Sequence, residues 1–308
     1  MNEPALTPLQ DRTLQALRRS EMPVLIDPAE IAELIEEFTR GFEGIVAAVP
    51  EDQKFFLNKH LLTQILGCEV AAVAPEEFQW AVPIALGQIS HRAIQLGINW
   101  PGEPAPITLV DEAIARVSEE DSSLGDWVAG LSPADRADLR GMATERVTKF
   151  IESFPPLDPR SHPMTESKVY WPTDGPITLS GKVDLVIGKP SGHESRKLIV
   201  DLKSGRPRPN HRDDLRFYAL LETLRAKVPP RKTASFYLDA GDTDAEDVTI
   251  GILRSAARRT LDGLGALVEV STGLRPAQTK VSHACKWCPL RDQCADGTAF
   301  IGSLEEDY

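Results

Sequence analysis

Two short stretches decide how this chain is read: GKVDLVIG at residues 181–188 and KLIVDLKSG at residues 197–205. In the first, Val183, Leu185 and Ile187 alternate with Asp184 and Val186. That period of two predicts a strand over 177–187 with Asp184 on the face opposite the three large apolar residues. In the second, Lys197 to Leu202 predicts another strand, in which Asp201 and Lys203 share a face and Leu202 points the other way. The intervening KPSGHES supplies a turn, so the two strands are expected to form an antiparallel hairpin. Two carboxylates and an ammonium would then converge.

A charge set among apolar strand residues needs a partner or a task. Hard carboxylate oxygens suit Mg2+ or Mn2+, which take one or two protein carboxylates together with waters and substrate phosphates. Lys203 would orient an attacking water or offset developing negative charge. Read alone, Asp-x-Lys is a common pattern and fits better an Asp–Lys pair satisfying itself at a sheet edge.

Outward from the hairpin, a strand is expected at 167–171, a helix at 211–227, a strand at 233–238 and a helix at 251–270. Together these make an α/β core with a mixed sheet. The preceding half reads as helical. Asp27-Pro28 is a start signal followed by Ile31, Leu34, Ile35 and Phe38 on one face. Ser132-Pro133 repeats the signal ahead of Leu139, Met142, Phe150 and Phe154. Residues 57–67 and 76–97 are further helices, and proline-rich breaks fall at 101–106 and 155–159. Three segments are therefore expected: a mainly helical region at 1–158, a core at 159–275 and a cysteine-rich segment with an acidic tail at 276–308.

An aspartate in a hydrophobic strand, then a hairpin, then Asp-x-Lys resembles the PD-(D/E)xK nuclease superfamily, and the details resemble its RecB-like iron–sulfur branch. That branch includes the AddB nuclease domain and the CRISPR-adaptation 4Fe–4S nuclease. The matching motifs are GQISH ending at His91, Glu166 in TESKVYW, GKVDLVIG, VDLKSG, and Asp214 to Tyr218 in DLRFYALL. The resemblance covers roughly residues 55–100 and 160–295. It implies a restriction-endonuclease-like mixed sheet flanked by helices, with His91, Asp184, Asp201 and the main-chain oxygen of Leu202 holding Mg2+ or Mn2+. It further implies catalytic roles for Lys203, Glu166 and Tyr218. The chain departs from the family's Gln-x-x-x-Tyr at Asp214, because a carboxylate cannot donate the hydrogen bond that a glutamine donates. Arg212 and Arg216 are candidates to compensate, and with Arg206 and Arg208 to contact phosphates.

Three of the four cysteines cluster as Cys285-x2-Cys288-x5-Cys294, and the fourth, Cys68, lies 217 residues upstream. Four thiolates are the usual ligand set of a 4Fe–4S cluster. Zinc is the competing reading, with His283 able to replace Cys68 in a Cys3His site. The match of the distant Cys68 to the iron–sulfur branch favours the cluster.

Composition sets limits on this reading. The 308 residues carry 46 acidic and 34 basic side chains, for a net charge of −12, which argues against a general nucleic-acid binder. The charge is uneven, however: residues 196–232 hold eleven basic and four acidic side chains, a local +7. No apolar run reaches the roughly 18–20 residues of a membrane span. MNEPALTPLQ lacks the layout of a secretory signal, and four cysteines are too few for a disulfide scaffold, which points to the cytoplasm. No GxxxxGK(S/T) phosphate loop occurs, so a motor would have to come from a partner such as a helicase. The expected function is a metal-dependent DNA nuclease acting on single strands or ends, in repair, recombination or CRISPR-type processing. The alternative is a catalytically weak DNA-end-binding or assembly module on the same fold.

Overall fold

The computed structural model describes residues 5–75 and 78–306. The first residues of the helix expected from 76, Glu76 and Glu77, and the last two of the acidic tail lie outside them.

The elements begin where the local chemistry puts them. Helix α1 (Pro8–Leu17) starts behind a capping box of Thr7 and Gln10. Helix α2 (Pro28–Val46) follows Asp27, whose carboxylate accepts from the Ala29 N–H at 2.8 Å. It buries Ile31, Leu34, Phe38 and Phe42. Strand β1 (Phe55–Leu57) was not expected; the helix placed at 57–67 is α3 (Lys59–Gly67), whose start is set by Asn58 accepting from the Leu61 N–H. Then come α4 (Glu69–Val73), α5 (Val82–Ile98), α6 (Pro106–Glu120), α7 (Ser122–Gly130) and α8 (Pro133–Ser153). In α8 the buried stripe is Leu139, Ala143, Val147 and Phe150, whereas Met142, expected on it, is exposed. The spacing explains the error, since 139, 143, 147 and 150 keep one helical face and 142 drifts off it.

The second half supplies β2 (Met164–Trp171), β3 (Ile177–Ile187), β4 (Leu198–Lys203), α9 (Asn210–Ala226), β5 (Lys232–Tyr237), β6 (Asp242–Asp247), α10 (Ile250–Ser271) and α11 (Ala295–Glu306). The sheet is mixed, as expected: β3 pairs antiparallel with β2 and β4, β4 runs parallel to β5, and β5 antiparallel to β6. β1 joins parallel to the first residues of β3, so the segment before residue 158 contributes a strand to the core. β6 reads DTDAED, a composition poor in strand formers. It is held on the sheet edge by the ladder and by Arg212–Asp244, Arg216–Glu246 and Lys232–Asp247 pairs.

Helices cover both faces of the sheet. α2, α3, α9 and α10 pack one core with Leu57, Val169, Ile177, Leu179, Val183 and Ile199. α1, α5, α6, α7 and α8 pack the other with Leu185, Leu198, Val200, Leu202, Ala234 and Phe236. Truncating one such buried leucine or isoleucine to alanine costs about 2–5 kcal/mol. The expectation that Val183, Leu185 and Ile187 share a face is corrected here: Val183 feeds the first core, Leu185 and Ile187 the second. β3 therefore changes sides at Asp184, and directly across the β2–β3 ladder Glu166 takes a positive φ of 54°.

Candidate active site

Both strands of the hairpin stop pairing at the residues that matter. β3 and β4 are in register at Leu185–Val200, Val186–Ile199 and Ile187–Leu198, and no further. Beyond Val200 they splay. The Leu202 N–H, freed from the ladder, donates to Asp184 Oδ2 at 2.7 Å. A buried amide thus gains a partner, and the Asp184 carboxylate is fixed in the mouth of the fork. β1 occupies the same edge of β3 but only at Ile177–Leu179, which leaves residues 180–184 of that edge open. The opening is a cleft of about 640 Å³, lined by Lys59, His91, Glu166, Lys168, Lys182, Asp184, Asp201, Lys203 and Tyr218 among others.

On one side of the cleft lie His91, Glu166 and Asp184. Each offers a ligand atom, all within 4.8 Å of one another, and among the described residues they are the one such trio. His91 comes from the middle of α5, where Ile89, Ser90 and Ala93 are buried around it. Its Nδ1 stands 3.3 Å from Asp184 Oδ1. Burial opposes an imidazolium there, but Asp184, with Asp201 and Glu166 behind it, raises the His91 pKa above its ordinary value. Glu166 reaches the site from a left-handed backbone position that costs a non-glycine residue about 1–2 kcal/mol. Its carboxylate also pairs with Lys182.

On the other side is a buried quartet of alternating charge. Asp201, 2% exposed, receives Lys59 Nζ on Oδ1 at 2.8 Å and Lys203 Nζ near Oδ2 at 2.9 Å. Asp214 receives Lys203 Nζ on Oδ2 at 2.8 Å and has Lys59 at 3.9 Å. Burial pushes the Asp201 pKa upward, and the two ammonium groups outweigh it and hold the carboxyl below its usual range. Burial likewise works against Lys59, yet Asp201, Tyr218 and Asp214 raise its pKa above the ordinary lysine value. Lys59 Nζ also lies 4.8 Å from the centroid of the Tyr218 ring. Tyr218 donates its hydroxyl to the Lys182 carbonyl at 2.7 Å, and burial, aided by Asp201 and Asp184, pushes its pKa up to about 12. The ring lies under Gly181, where a Cβ would meet Tyr218 Cε1 at 2.8 Å, so the glycine is required by close approach.

The sequence-predicted residues thus fall into three groups. His91, Glu166, Asp184, Asp201, Leu202, Lys203 and Tyr218 line one cleft. Asp214 lies behind it, occupied by the lysines. Arg212 and Arg216 are engaged with Asp244 and Glu246 on the acidic edge strand, away from the cleft, while Arg206 and Arg208 are exposed beside it in the chain. Sequence reasoning missed Lys59. Its signal was weak: a lone lysine at a helix start, readable only as the counter-charge that Asp214 demands.

The cysteines are all free and half-buried. Cys68 joins α3 to α4, and the chain after α10 is laced onto that junction. Arg275 binds Glu69 at 2.6 and 2.7 Å, the Gln278 N–H donates to Glu69, and Lys280 Nζ donates to the Leu66 carbonyl. Further on, the N–H groups of Ser282 and Gly297 donate to the sulfurs of Cys285 and Cys294 at 3.4 and 3.3 Å. Gly297 packs against both of these sulfurs: a Cβ on it would lie 3.3 Å from Cys294 Sγ and 3.7 Å from Cys285 Sγ.

Residues 58–295 match the family described as the PD-(D/E)XK nuclease superfamily. No curated protein matches the chain. Among solved structures, the chain is similar to a candidate exonuclease from Eubacterium rectale, with 12% identity over 77% of this chain and 87% of that one and a TM-score of 0.48. It is also similar to the protein SSO0001, with 15% identity over 78% of this chain and 96% of that one and a TM-score of 0.29.

Proposed function

The chain belongs to the PD-(D/E)XK nuclease superfamily, and on that premise we propose that it is a divalent-metal-dependent DNA nuclease, acting on single strands or ends, of the RecB-like iron–sulfur branch. The observation that carries the reading is the convergence of His91, Glu166 and Asp184 within 4.8 Å, beside an Asp201 that is itself buried.

The donor set fits the ion. One imidazole and two carboxylates suit Mn2+ or Mg2+, and the buried Oδ2 of Asp201 has no hydrogen bond of good geometry. His91, Asp184, Glu166 and Asp201, with the main-chain oxygen of Leu202, would hold it. Bound there, the ion would polarise a phosphate oxygen and lower the pKa of bound water. The chain's own groups do the rest. Asp214 and Asp201 keep the Lys203 ammonium aimed into the cleft, where it orients the attacking water and offsets negative charge on the phosphate. Asp214, in the family's glutamine position, acts through Lys203 and Lys59. The N–H of Leu202 fixes the Asp184 carboxylate in place.

The cysteines support the second cofactor. The N–H donors to the sulfurs of Cys285 and Cys294, and the lacing of residues 275–280 onto the Cys68 junction, suit a 4Fe–4S cluster that clasps the two ends of the nuclease core. Protein purified without oxygen is expected to be brown, with iron and labile sulfide; colourless protein with stoichiometric zinc overturns the cluster.

One observation favours a second reading, a DNA-end-binding module with weak catalysis: both oxygens of Asp201 already face lysines. The test is cleavage of end-labelled single-stranded DNA with Mn2+. Wild type is expected to cleave, and Asp201→Ala and Lys203→Ala to be severely impaired. Equal rates in all three overturn the assignment; binding without cleavage by wild type supports the module.

A further inference from the structure

Outside the two charged groups, the cleft has a floor that neither metal chemistry nor the lysine quartet uses. On β1, β2 and the first half of β3, odd-numbered residues Leu57, Val169, Ile177 and Leu179 turn into the core. The even-numbered residues face out. In register they are Phe56 with Thr178, Tyr170 with Ser180, and Lys168 with Lys182. The line then reaches Glu166 and Asp184, at the change of sides. This exposed stretch of the sheet's second face therefore carries two aromatic rings, then two lysines, then the candidate metal ligands.

Three features of this face ask for an occupant. Phe56 is 60% and Tyr170 45% exposed, although strand aromatics normally bury their rings. Lys168 and Lys182 are exposed and directly opposite one another, a like-charge pair that Glu166, paired with Lys182, offsets only on one side. The face is also continuous: a second hollow of about 440 Å³, lined by Lys54, Phe56, Tyr170, Thr173, Asp174, Gly175 and Thr178, adjoins the cleft at Tyr170, which lines both. At about 3.3 Å per strand residue, Tyr170 stands roughly 13 Å and Phe56 roughly 20 Å along the sheet from Asp184. Those are distances of a few nucleotides.

We propose that this face is the track for a single nucleic-acid strand, with bases stacked on Tyr170 and Phe56 and phosphates over Lys168, Lys182 and Lys54, delivering the chain to the His91–Glu166–Asp184 centre. The inference rests on the nuclease reading and deepens it by naming the side chains that would select and hold an unpaired strand. A paired duplex keeps its bases stacked on one another and cannot offer their faces to the rings; an unpaired strand can. Asp174 at the outer end is the one carboxylate among the residues lining the second hollow.

The experiment measures binding of a fluorescein-labelled oligothymidylate by anisotropy in EDTA, where no cleavage occurs. Phe56→Ala and Tyr170→Ala are each expected to weaken binding by roughly tenfold, with duplex binding unchanged. Tyr170→Phe, which keeps the ring, is expected to bind like wild type. Lys168→Ala is expected to reduce the salt dependence of binding by about 0.7 in the log–log slope. Wild type is expected to bind an abasic strand at least roughly tenfold more weakly than the normal strand, a comparison that needs no variant to fold. Ring variants that bind oligothymidylate like wild type, or wild type that binds abasic and normal strands equally, overturn the track. The nuclease reading fails separately: wild type that binds the strand through these rings but does not cut it with Mn2+ keeps the track and loses the nuclease.

Discussion

Removing the Lys59 ammonium tests whether the charged quartet is a closed unit. In Lys59→Met the chain keeps its length and most of its packing but leaves Asp201 and Asp214 with Lys203 alone. The lost contacts are 2.8 Å to Asp201 Oδ1 and 3.9 Å to Asp214 Oδ2. Breaking a buried ion pair costs about 3–5 kcal/mol. The low end applies because Lys203 still faces both carboxylates and the Lys59 side chain is 26% exposed. At about 2.1 cal/mol/K of unfolding entropy per residue, 308 residues turn roughly 3 kcal/mol into a fall in Tm of about 5 °C. The diagnostic result is the double variant. Lys59→Met with Asp214→Asn restores one acid to one base, so it is expected to lose only about 1 kcal/mol, less than Lys59→Met alone. Thermal melts of wild type, the two single variants and the double variant complete the cycle. A single variant within about 0.5 kcal/mol of wild type, the ordinary range of a surface change, or a double variant showing the sum of the single losses, refutes the reasoning.

Three further outcomes follow from particular contacts. Gly181→Ala is expected to cost about 1–3 kcal/mol, read as a lower Tm, because its Cβ would press on Tyr218 and Leu221 at 2.8 and 3.1 Å. At Glu166, valine ranks above asparagine in strand preference, yet the positive φ predicts the reverse: Glu166→Val loses about 1–2 kcal/mol more than Glu166→Asn, and both bind Mn2+ more weakly. Mn2+ affinity by calorimetry is expected to rise with pH. His91 has a raised pKa and is protonated below it, so binding must release that proton, and the dependence disappears in His91→Ala.

The sequence was most legible where chemistry interrupts a pattern. Asp184, Asp201 and Lys203 stood out because charges broke two apolar strands, and the hairpin formed as read, though for only three residue pairs. The fork beyond them was not legible, since nothing in VDLVIG announces that Val183 and Leu185 serve different cores. β1 and β6 escaped for opposite reasons. Phe55–Leu57 is too short to show a period, and DTDAED has the composition of a loop until Arg212 and Arg216 neutralise it. The pairs those two arginines make with Asp244 and Glu246 could not be read either, because a sequence shows charge but not which acid comes near. The same limit hid Lys59: its partners lie 142 and 155 residues away, and only the fold brings them together.

The central claim is that the fork between β3 and β4 builds a divalent-metal centre from His91, Glu166 and Asp184. The most direct measurement is an anomalous difference map from crystals soaked in Mn2+, collected on both sides of the manganese edge. The account predicts a peak bounded by His91 Nδ1, Glu166 and Asp184, with Leu202 and Asp201 adjoining, and none in a crystal of Asp184→Asn. A map with no manganese among these residues, from protein that nonetheless cleaves DNA, contradicts it.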